Sequence, residues 1–140
     1  MKIDQSLMAL ERYISRRWRE VPETACTSLS YTEYDYLETL EEAGSVRLSD
    51  LAKRMLVSKP TASNMVARLQ RKGLVERQPC QEDGRAFLLS ISVQAKALLA
   101  QDRTIYGDLI SELVDEMSPQ DRQHLAQLLT RMVAKANRSR

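Results

Sequence analysis

The side chains best suited to a chemical role lie in residues 48–73, which read LSDLAKRMLVSKPTASNMVARLQRKG. Polar and cationic residues recur at helical spacing in the second half of this stretch, at Thr61, Asn64, Arg68 and Arg71. Ser58, Lys59 and Ser63 crowd the N-terminal end of the same predicted helix. Amide and hydroxyl groups can hydrogen-bond base edges, cations can pair with phosphates, and a helix N-terminus attracts anions. This face therefore predicts contact with nucleic acid.

The opposite face of the predicted helix is apolar, with Ala62, Met65, Val66 and Leu69 at i, i+3, i+4 and i+7. A short helix precedes it across the tight connection Leu56-Val57 and contains a small residue, Ala52, where a second helix could pack closely. Two short helices in this arrangement are typical of a helix-turn-helix. The alternative is an ordinary surface helix with a solvated polar face.

The distribution of charge supports a nucleic-acid partner, although the total of +2 does not. Residues 1–44 carry five Lys/Arg and nine Asp/Glu, a net charge of −4. Residues 45–90 carry nine and four, a net charge of +5, and residues 91–140 carry seven and six, a net charge of +1. The basic block coincides with the predicted helix-turn-helix, and a basic block attracts polyanions.

Other kinds of chemistry lack the residues they need. His124 is the single histidine, and Cys26 and Cys80 are the two cysteines, so a tetrahedral zinc site of the usual kind is not expected. The four glycines are scattered, so no phosphate-binding glycine-rich loop is present. We expect no cofactor, no metal and no enzyme activity. The chain has no long apolar run and no disulfide framework, which predicts a cytoplasmic protein without a membrane partner.

The rest of the chain predicts a helix-rich α+β protein. Helices are expected over 3–21, from the Ser30 capping box to Gly44, over 49–55, from Ser58 to Gly73, over 93–117, and from Ser118 with an apolar stripe that runs to Ala136. Two strands, 74–78 and 86–91, are expected to form a hairpin, and Asp83-Gly84 lies in their connection.

The sequence resembles the MarR family of winged helix-turn-helix transcriptional regulators over nearly its whole length. The matching residues are Leu51-Ala52, Val57-Ser58-Lys59-Pro60-Thr61, Leu69, Lys72-Gly73-Leu74-Val75-Glu76-Arg77, Asp83 with Arg85, and Met117-Ser118-Pro119. Leu56 stands where family members often have a turn glycine, and Gly84 replaces a residue that is frequently basic.

The resemblance implies a homodimer in which each subunit places one recognition helix in a major groove and one hairpin wing near the minor groove. Carried onto this chain, it places Ser58, Lys59, Thr61, Ser63, Asn64 and Arg68 at the groove. It places Arg85 at the wing tip, oriented by Asp83. The chain is then one MarR-like domain, 1–140, with a DNA-binding core at 30–92 and dimerisation helices at 1–29 and 93–140.

The apolar stripes at the two ends of the chain indicate a dimer independently of the resemblance. The first and last predicted helices each carry a full stripe, although the block between them has its own core residues. A symmetric interface between two copies is the commonest way to cover such surfaces. Packing within one subunit is the alternative. A two-fold dimer favours a pseudo-palindromic DNA site with half-sites about 10 bp apart.

Two further features could sense a signal. Arg16, Trp18, Tyr31 and Tyr34 could line a pocket for a small aromatic anion, although aromatic residues more often belong to a core. Cys80 lies close to the basic wing and Cys26 precedes the second helix, so either thiol could be redox-sensitive, although incidental cysteines are the simpler interpretation.

Together these patterns predict a sequence-specific regulator that binds double-stranded DNA, most simply a repressor released by a small aromatic or anionic effector. The alternatives are a thiol-based redox regulator and a winged helix that binds other proteins. A protein-binding version would carry apolar or acidic residues on the outer face of 59–71.

Overall fold

The computed structural model describes residues 1–21, 29–82 and 84–139. In chain order, its elements are α1 (Ile3–Arg19), α2 (Tyr31–Ala43), α3 (Leu48–Met55), α4 (Lys59–Arg71), β1 (Val75–Pro79), β2 (Phe87–Ile91), α5 (Val93–Leu113) and α6 (Pro119–Arg138). The predicted α+β class, with helix dominant, is confirmed.

Serine side chains begin three of these helices, as their sequence motifs predict. The Oγ atoms of Ser30, Ser58 and Ser118 accept hydrogen bonds from the backbone N–H groups of the residues three positions later, at 3.1, 3.3 and 3.1 Å. These bonds satisfy donors that have no partner within the helix. Local sequence alone therefore fixes where α2, α4 and α6 start.

Two helices end earlier in the structure than the sequence predicts. The first helix ends at Arg19 instead of residue 21, because the N–H groups of Glu20 and Val21 bond only three residues back. The fifth helix ends at Leu113 instead of residue 117, and Arg122 closes the turn that follows. The Arg122 guanidinium donates to the carbonyl oxygens of Val114, Asp115 and Met117 at 3.0, 2.9 and 3.1 Å.

The two strands form an antiparallel hairpin in which Val75 pairs with Ile91 and Pro79 with Phe87. The first strand starts one residue later than predicted, because the Leu74 N–H bonds back to Leu69 O and closes the end of α4. Val46 forms a further antiparallel bridge with Leu89, with N···O distances of 3.0 and 2.7 Å. The segment before α3 is thereby tied to the hairpin.

One hydrophobic core connects α2, α3, α4, the hairpin and the first turns of α5. Its largest fully buried side chains are Tyr36, Leu37, Leu40, Leu51, Val66, Leu69, Leu89 and Leu99. This core holds the helix-turn-helix and the hairpin in one rigid block, which positions the candidate site.

The chain divides into two compact units, Met1–Arg103 and Thr104–Arg140. Neither α1 in the first unit nor α6 in the second has a fully buried residue. No helix in the described ranges is both long enough and apolar enough to cross a membrane.

A partly buried ion pair, in which only the carboxylate is fully buried, links α2 with the end of α4 in the first unit. The Glu33 carboxylate lies in the first turn of α2 and accepts a hydrogen bond from Lys72 Nζ at 2.6 Å. Burial raises the pKa of Glu33, but the hydrogen bonds from Lys72 and Ser30, together with the positive charge of Lys72, outweigh it. The pKa of Glu33 therefore lies below its ordinary value of 4.5.

This shift predicts a loss of stability in acid. A carboxyl group whose pKa is lowered by folding stabilises the native state above the unfolded pKa, and this contribution disappears as pH falls through the folded pKa. Urea unfolding followed by circular dichroism at pH 7, 5, 4 and 3 should show a steeper loss below pH 4.5 for the wild type than for Glu33→Gln. Identical pH dependence in the two proteins would contradict this role of Glu33.

Candidate nucleic-acid interface

The predicted helix-turn-helix is present, and Leu56 forms its turn. Leu56 has φ = 59°, a left-handed conformation that it shares with no other non-glycine residue in the described ranges. The N–H of Leu56 bonds to Lys53 O at 3.2 Å, and the N–H of Val57 bonds to Ala52 O at 3.0 Å. These two bonds form a Schellman closure, in which glycine is the usual left-handed residue. The turn that the site requires is thus made without a glycine.

The two faces of α4 are as the sequence predicts. Ala62, Val66 and Leu69 are completely buried, and Met65 packs against the core from a half-buried position. On the other side, the exposed residues are Thr61, Asn64, Arg68 and Arg71. An apolar face anchors the helix, so the polar face is held rigidly towards solvent.

The N-terminal end of α4 is organised by Ser58. Its hydroxyl oxygen accepts from the Thr61 N–H and its hydroxyl donates to Thr61 Oγ1 at 2.8 Å. Ser58 therefore serves as the helix cap, and the Thr61 hydroxyl is oriented by it. Lys59 is exposed beside this cap, and Ser63 is half-buried.

A cleft of about 380 Å³ lies between the start of α4 and the hairpin. Four cationic side chains line it: Arg47, Lys59, Arg77 and Arg85. The other lining residues are Leu48, Ser49, Ser63, Ala86, Phe87 and Leu89, so none of the described lining residues is acidic. Four like charges around one cleft create a strongly positive potential. An anion in the cleft would reduce the repulsion among them.

Arg77 is held at the cleft wall by the hairpin. Its guanidinium carbon lies 5.3 Å from the centre of the Phe87 ring, within the range of a cation–π interaction. Because Arg77 pairs with Leu89, Phe87 is its diagonal neighbour across the two strands. The strand register therefore places this cation.

Arg47, which immediately precedes α3, lines the same cleft. Its Nη2 atom donates to Cys80 Sγ at 3.7 Å, and Cys80 is only 7% exposed. This burial restricts the access of oxidants to the Cys80 thiol. Cys26, the other cysteine, lies outside the described residues.

Sequence periodicity missed Arg47 and Arg77 as site residues, because neither lies on a predicted helical face. Arg47 was marked only by its membership of the basic block, whereas Arg77 also lay within the residues that match the family, without being assigned a role there. Arg85, which the resemblance placed at the wing tip, lies in the hairpin loop and lines the cleft. Asp83, its predicted orienting partner, lies outside the described residues.

The four candidate effector residues have unlike surroundings, and none of them lines the cleft. Arg16 is exposed, Trp18 is half-buried in α1, and Tyr31 is 87% exposed. Tyr34 packs against the core, where burial, together with the nearby charges of Glu38 and Asp102, raises the pKa of its hydroxyl to about 12.

Known proteins resemble the chain in sequence over this region. The MarR family model matches residues 29–87. The HTH-type transcriptional regulator YxaD of Bacillus subtilis is 30% identical over 105 residues, which cover 75% of this chain and 73% of YxaD. YdgJ of the same organism is 26% identical, and the match covers 77% of this chain and 66% of YdgJ, just under two thirds. The homoprotocatechuate degradative operon repressor of Escherichia coli is 24% identical, covering 79% and 74%.

Solved structures share the fold. RV1404 of Mycobacterium tuberculosis superposes with a TM-score of 0.81 at 20% identity, covering 96% of this chain and 94% of that one. FabT of Streptococcus pneumoniae, solved in complex with DNA, gives a TM-score of 0.77 at 17% identity, covering 99% and 97%. These likenesses establish that the chain has the winged-helix architecture of those proteins.

The left-handed turn residue predicts a stabilising substitution. A left-handed conformation costs an L-residue about 1–2 kcal/mol, and the Leu56 side chain is 72% exposed, so little burial is lost on removing it. Glycine loses more backbone entropy on folding than leucine, which offsets part of this gain. Leu56→Gly should therefore raise the free energy of unfolding by about 0.5–1 kcal/mol. Leu56→Ala is the control, because it keeps the Cβ atom and should bring no gain. Equal stability of the two variants in urea unfolding would contradict this explanation.

Proposed function

The chain belongs to the MarR family of transcriptional regulators, and on this premise we propose that it binds double-stranded DNA sequence-specifically, as a homodimer. The observation that carries the proposal is the cationic cleft beside the exposed polar face of α4. One surface thus combines groups that can read base edges with groups that can grip phosphates. Recognition of a duplex needs both.

The two groups of residues would contact different parts of the duplex. Thr61, Asn64 and Arg68 are exposed on α4 at helical spacing, which suits them to base edges in a major groove. Lys59, Arg85 and the two additional cations, Arg47 and Arg77, surround the cleft at the side of α4. These four would hold the sugar–phosphate backbone that borders the groove.

This surface does not suit a protein-binding winged helix. Such a module would present apolar or acidic side chains, whereas the described outer face of α4 is polar and cationic. As part of the same proposal, this DNA-binding protein would act in the cytoplasm.

Exposed apolar residues support the homodimer. In the single chain, α1 leaves Ile3, Met8 and Leu10 exposed, and α6 leaves Leu128, Leu129, Met132 and Val133 exposed. Burying one side chain of this size contributes about 1.5–3 kcal/mol, so a dimer in which a second copy covers these faces would be strongly stabilised relative to the separate chains. Residues 1–29 and 93–140 would then form the dimer, and residues 30–92 would bind DNA. A two-fold dimer calls for a pseudo-palindromic site with half-sites about 10 bp apart.

Regulation would follow from the dimer geometry. Two rigidly connected α4 helices must fit two grooves at once, so a ligand that favours another spacing releases the DNA. We propose a repressor that responds to a small aromatic or anionic effector. The similarity to the homoprotocatechuate degradative operon repressor supports this choice, and Arg16, Trp18, Tyr31 and Tyr34 remain the candidate effector residues.

Substitutions on α4 and in the cleft should affect DNA binding differently. A duplex selected by the wild-type protein from a random library provides the probe. Asn64→Ala should relax sequence choice at one position, whereas Arg47→Gln and Arg85→Ala should each weaken all sequences and reduce the slope of log affinity against log salt by about 1. Gel-shift titrations at several salt concentrations measure both effects. Unchanged binding by all three variants would contradict the assigned interface.

A charge on the α6 stripe should prevent dimerisation. Val133→Glu places a carboxylate on the exposed apolar face and should give monomers in sedimentation-velocity runs at micromolar concentration. Gln127→Glu is the matched control, because it adds the same charge on the opposite side of α6 and should leave the dimer intact. Dimeric Val133→Glu would show that this face is not the interface.

A further inference from the structure

A single buried carboxylate connects the beginning of α2 with the end of α4. Glu33 is 4% exposed. Its Oε1 atom accepts a hydrogen bond from the Ser30 backbone N–H at 3.2 Å, and its Oε2 atom accepts one from Lys72 Nζ at 2.6 Å. Lys72 is the residue that caps the C-terminal end of α4. Each carboxylate oxygen is therefore engaged with a different helix end.

We infer that Glu33 is a positioning residue for DNA recognition: through Lys72, it sets the orientation in which α4 presents its polar face. The inference rests on the proposed DNA-binding function and adds a residue on α2 that lines none of the described cleft. Glu33 touches no DNA in this scheme. It acts through the helix that does.

The Glu33–Lys72 contact restrains α4 in a way that its apolar face cannot. Ala62, Val66 and Leu69 are held by hydrophobic contacts, which are non-directional. The hydrogen bond from Lys72 Nζ to Glu33 Oε2 has a preferred direction and lies at the end of α4 opposite Lys59. A helix of 13 residues is about 20 Å long, so a tilt of about 5° at one end moves the other by nearly 2 Å. Productive binding geometry tolerates only about 0.5 Å.

Further hydrogen bonds hold the C-terminal end of α4, where the Lys72 backbone lies. Gly73, with φ = 75°, closes the helix, because its N–H bonds to Gln70 O and the Leu74 N–H bonds to Leu69 O, both at 2.9 Å. Ser92 Oγ donates to Gly73 O at 2.7 Å. Glu33 adds a contact from the first turn of α2 at this same end of α4.

A second ion pair on the same helix offers a matched control. Glu41 in α2 accepts a hydrogen bond from Arg103 Nη2 of α5 at 2.6 Å, the same length as the Glu33–Lys72 bond. Neither Glu41 nor Arg103 belongs to α4. The two carboxylates differ in burial, because the Glu41 side chain is 28% exposed and the Glu33 side chain is 6% exposed.

The test compares Glu33→Gln with Glu41→Gln, since each removes one negative charge from α2. Charge alone predicts that both variants bind DNA slightly more tightly than the wild type. The glutamine at position 33 cannot replace Glu33, because its NH₂ group must face either the Ser30 N–H or the Lys72 ammonium, and both are donors. We therefore expect Glu33→Gln to bind the selected duplex about tenfold more weakly, with Glu41→Gln no weaker than the wild type.

Fluorescence anisotropy with the full chain measures these affinities, and circular dichroism at the same temperature confirms that each variant is folded. A mixed-sequence duplex of the same length is the second probe, and its affinity for Glu33→Gln should change by less than about twofold because non-specific binding depends mainly on charge. Weakening confined to the selected duplex supports the inference, because a merely destabilised protein would lose both duplexes in proportion.

Equal affinities of Glu33→Gln and Glu41→Gln for the selected duplex overturn the inference. If Glu33→Gln does not fold, Glu33→Asp decides by the same criterion, because it keeps the charge but is one methylene too short to reach both partners. If the wild type enriches no sequence from the library, the proposed function itself fails, and this result is distinct from normal DNA binding by the Glu33 variants.

Discussion

The burial of one face of α4 is the constraint on which the rest of the site depends. Ala62, Val66 and Leu69 lie fully inside the core, and their positions fix the rotation of the helix about its axis. That rotation leaves Thr61, Asn64 and Arg68 in solvent on the opposite side. A rotation of α4 would have to expose apolar area, at about 25 cal/mol for each Å². The core therefore preorganises the polar face before any partner arrives.

The cleft adds a second requirement, which is electrostatic. Arg47, Lys59, Arg77 and Arg85 come from α4 or from segments around α3 and the hairpin, so only the folded block brings them together. Their mutual repulsion works against folding, although each contact with solvent or a neighbouring group reduces it. Arg77 over Phe87 and Arg47 beside Cys80 are two such contacts. Concentrated charge of this kind is common where a protein must bind a polyanion.

Local patterns predicted most of the fold and half of the site. The faces of α4 follow from a period of 3.6 residues, and the helix starts follow from serine caps, so both could be found in the sequence. The cleft could not, because Arg77 is placed by pairing with Leu89 and Arg47 follows the Val46–Leu89 bridge. The Glu33–Lys72 pair joins residues 39 positions apart, which no local pattern connects. The end of α5 was missed for a different reason, because Arg122 bonds carbonyl groups five and eight residues back, a contact that the helical period does not register.

The most direct measurement of the central claim is residue-resolved chemical-shift mapping by NMR, with isotope-labelled protein and the duplex it selects. If α4 and the cleft form the DNA interface, the largest shifts should fall on residues 58–68, on Arg47 and Arg77, and on residues 84–87. Shifts concentrated on α2 or on residues 104–139, with α4 unaffected, would contradict the account.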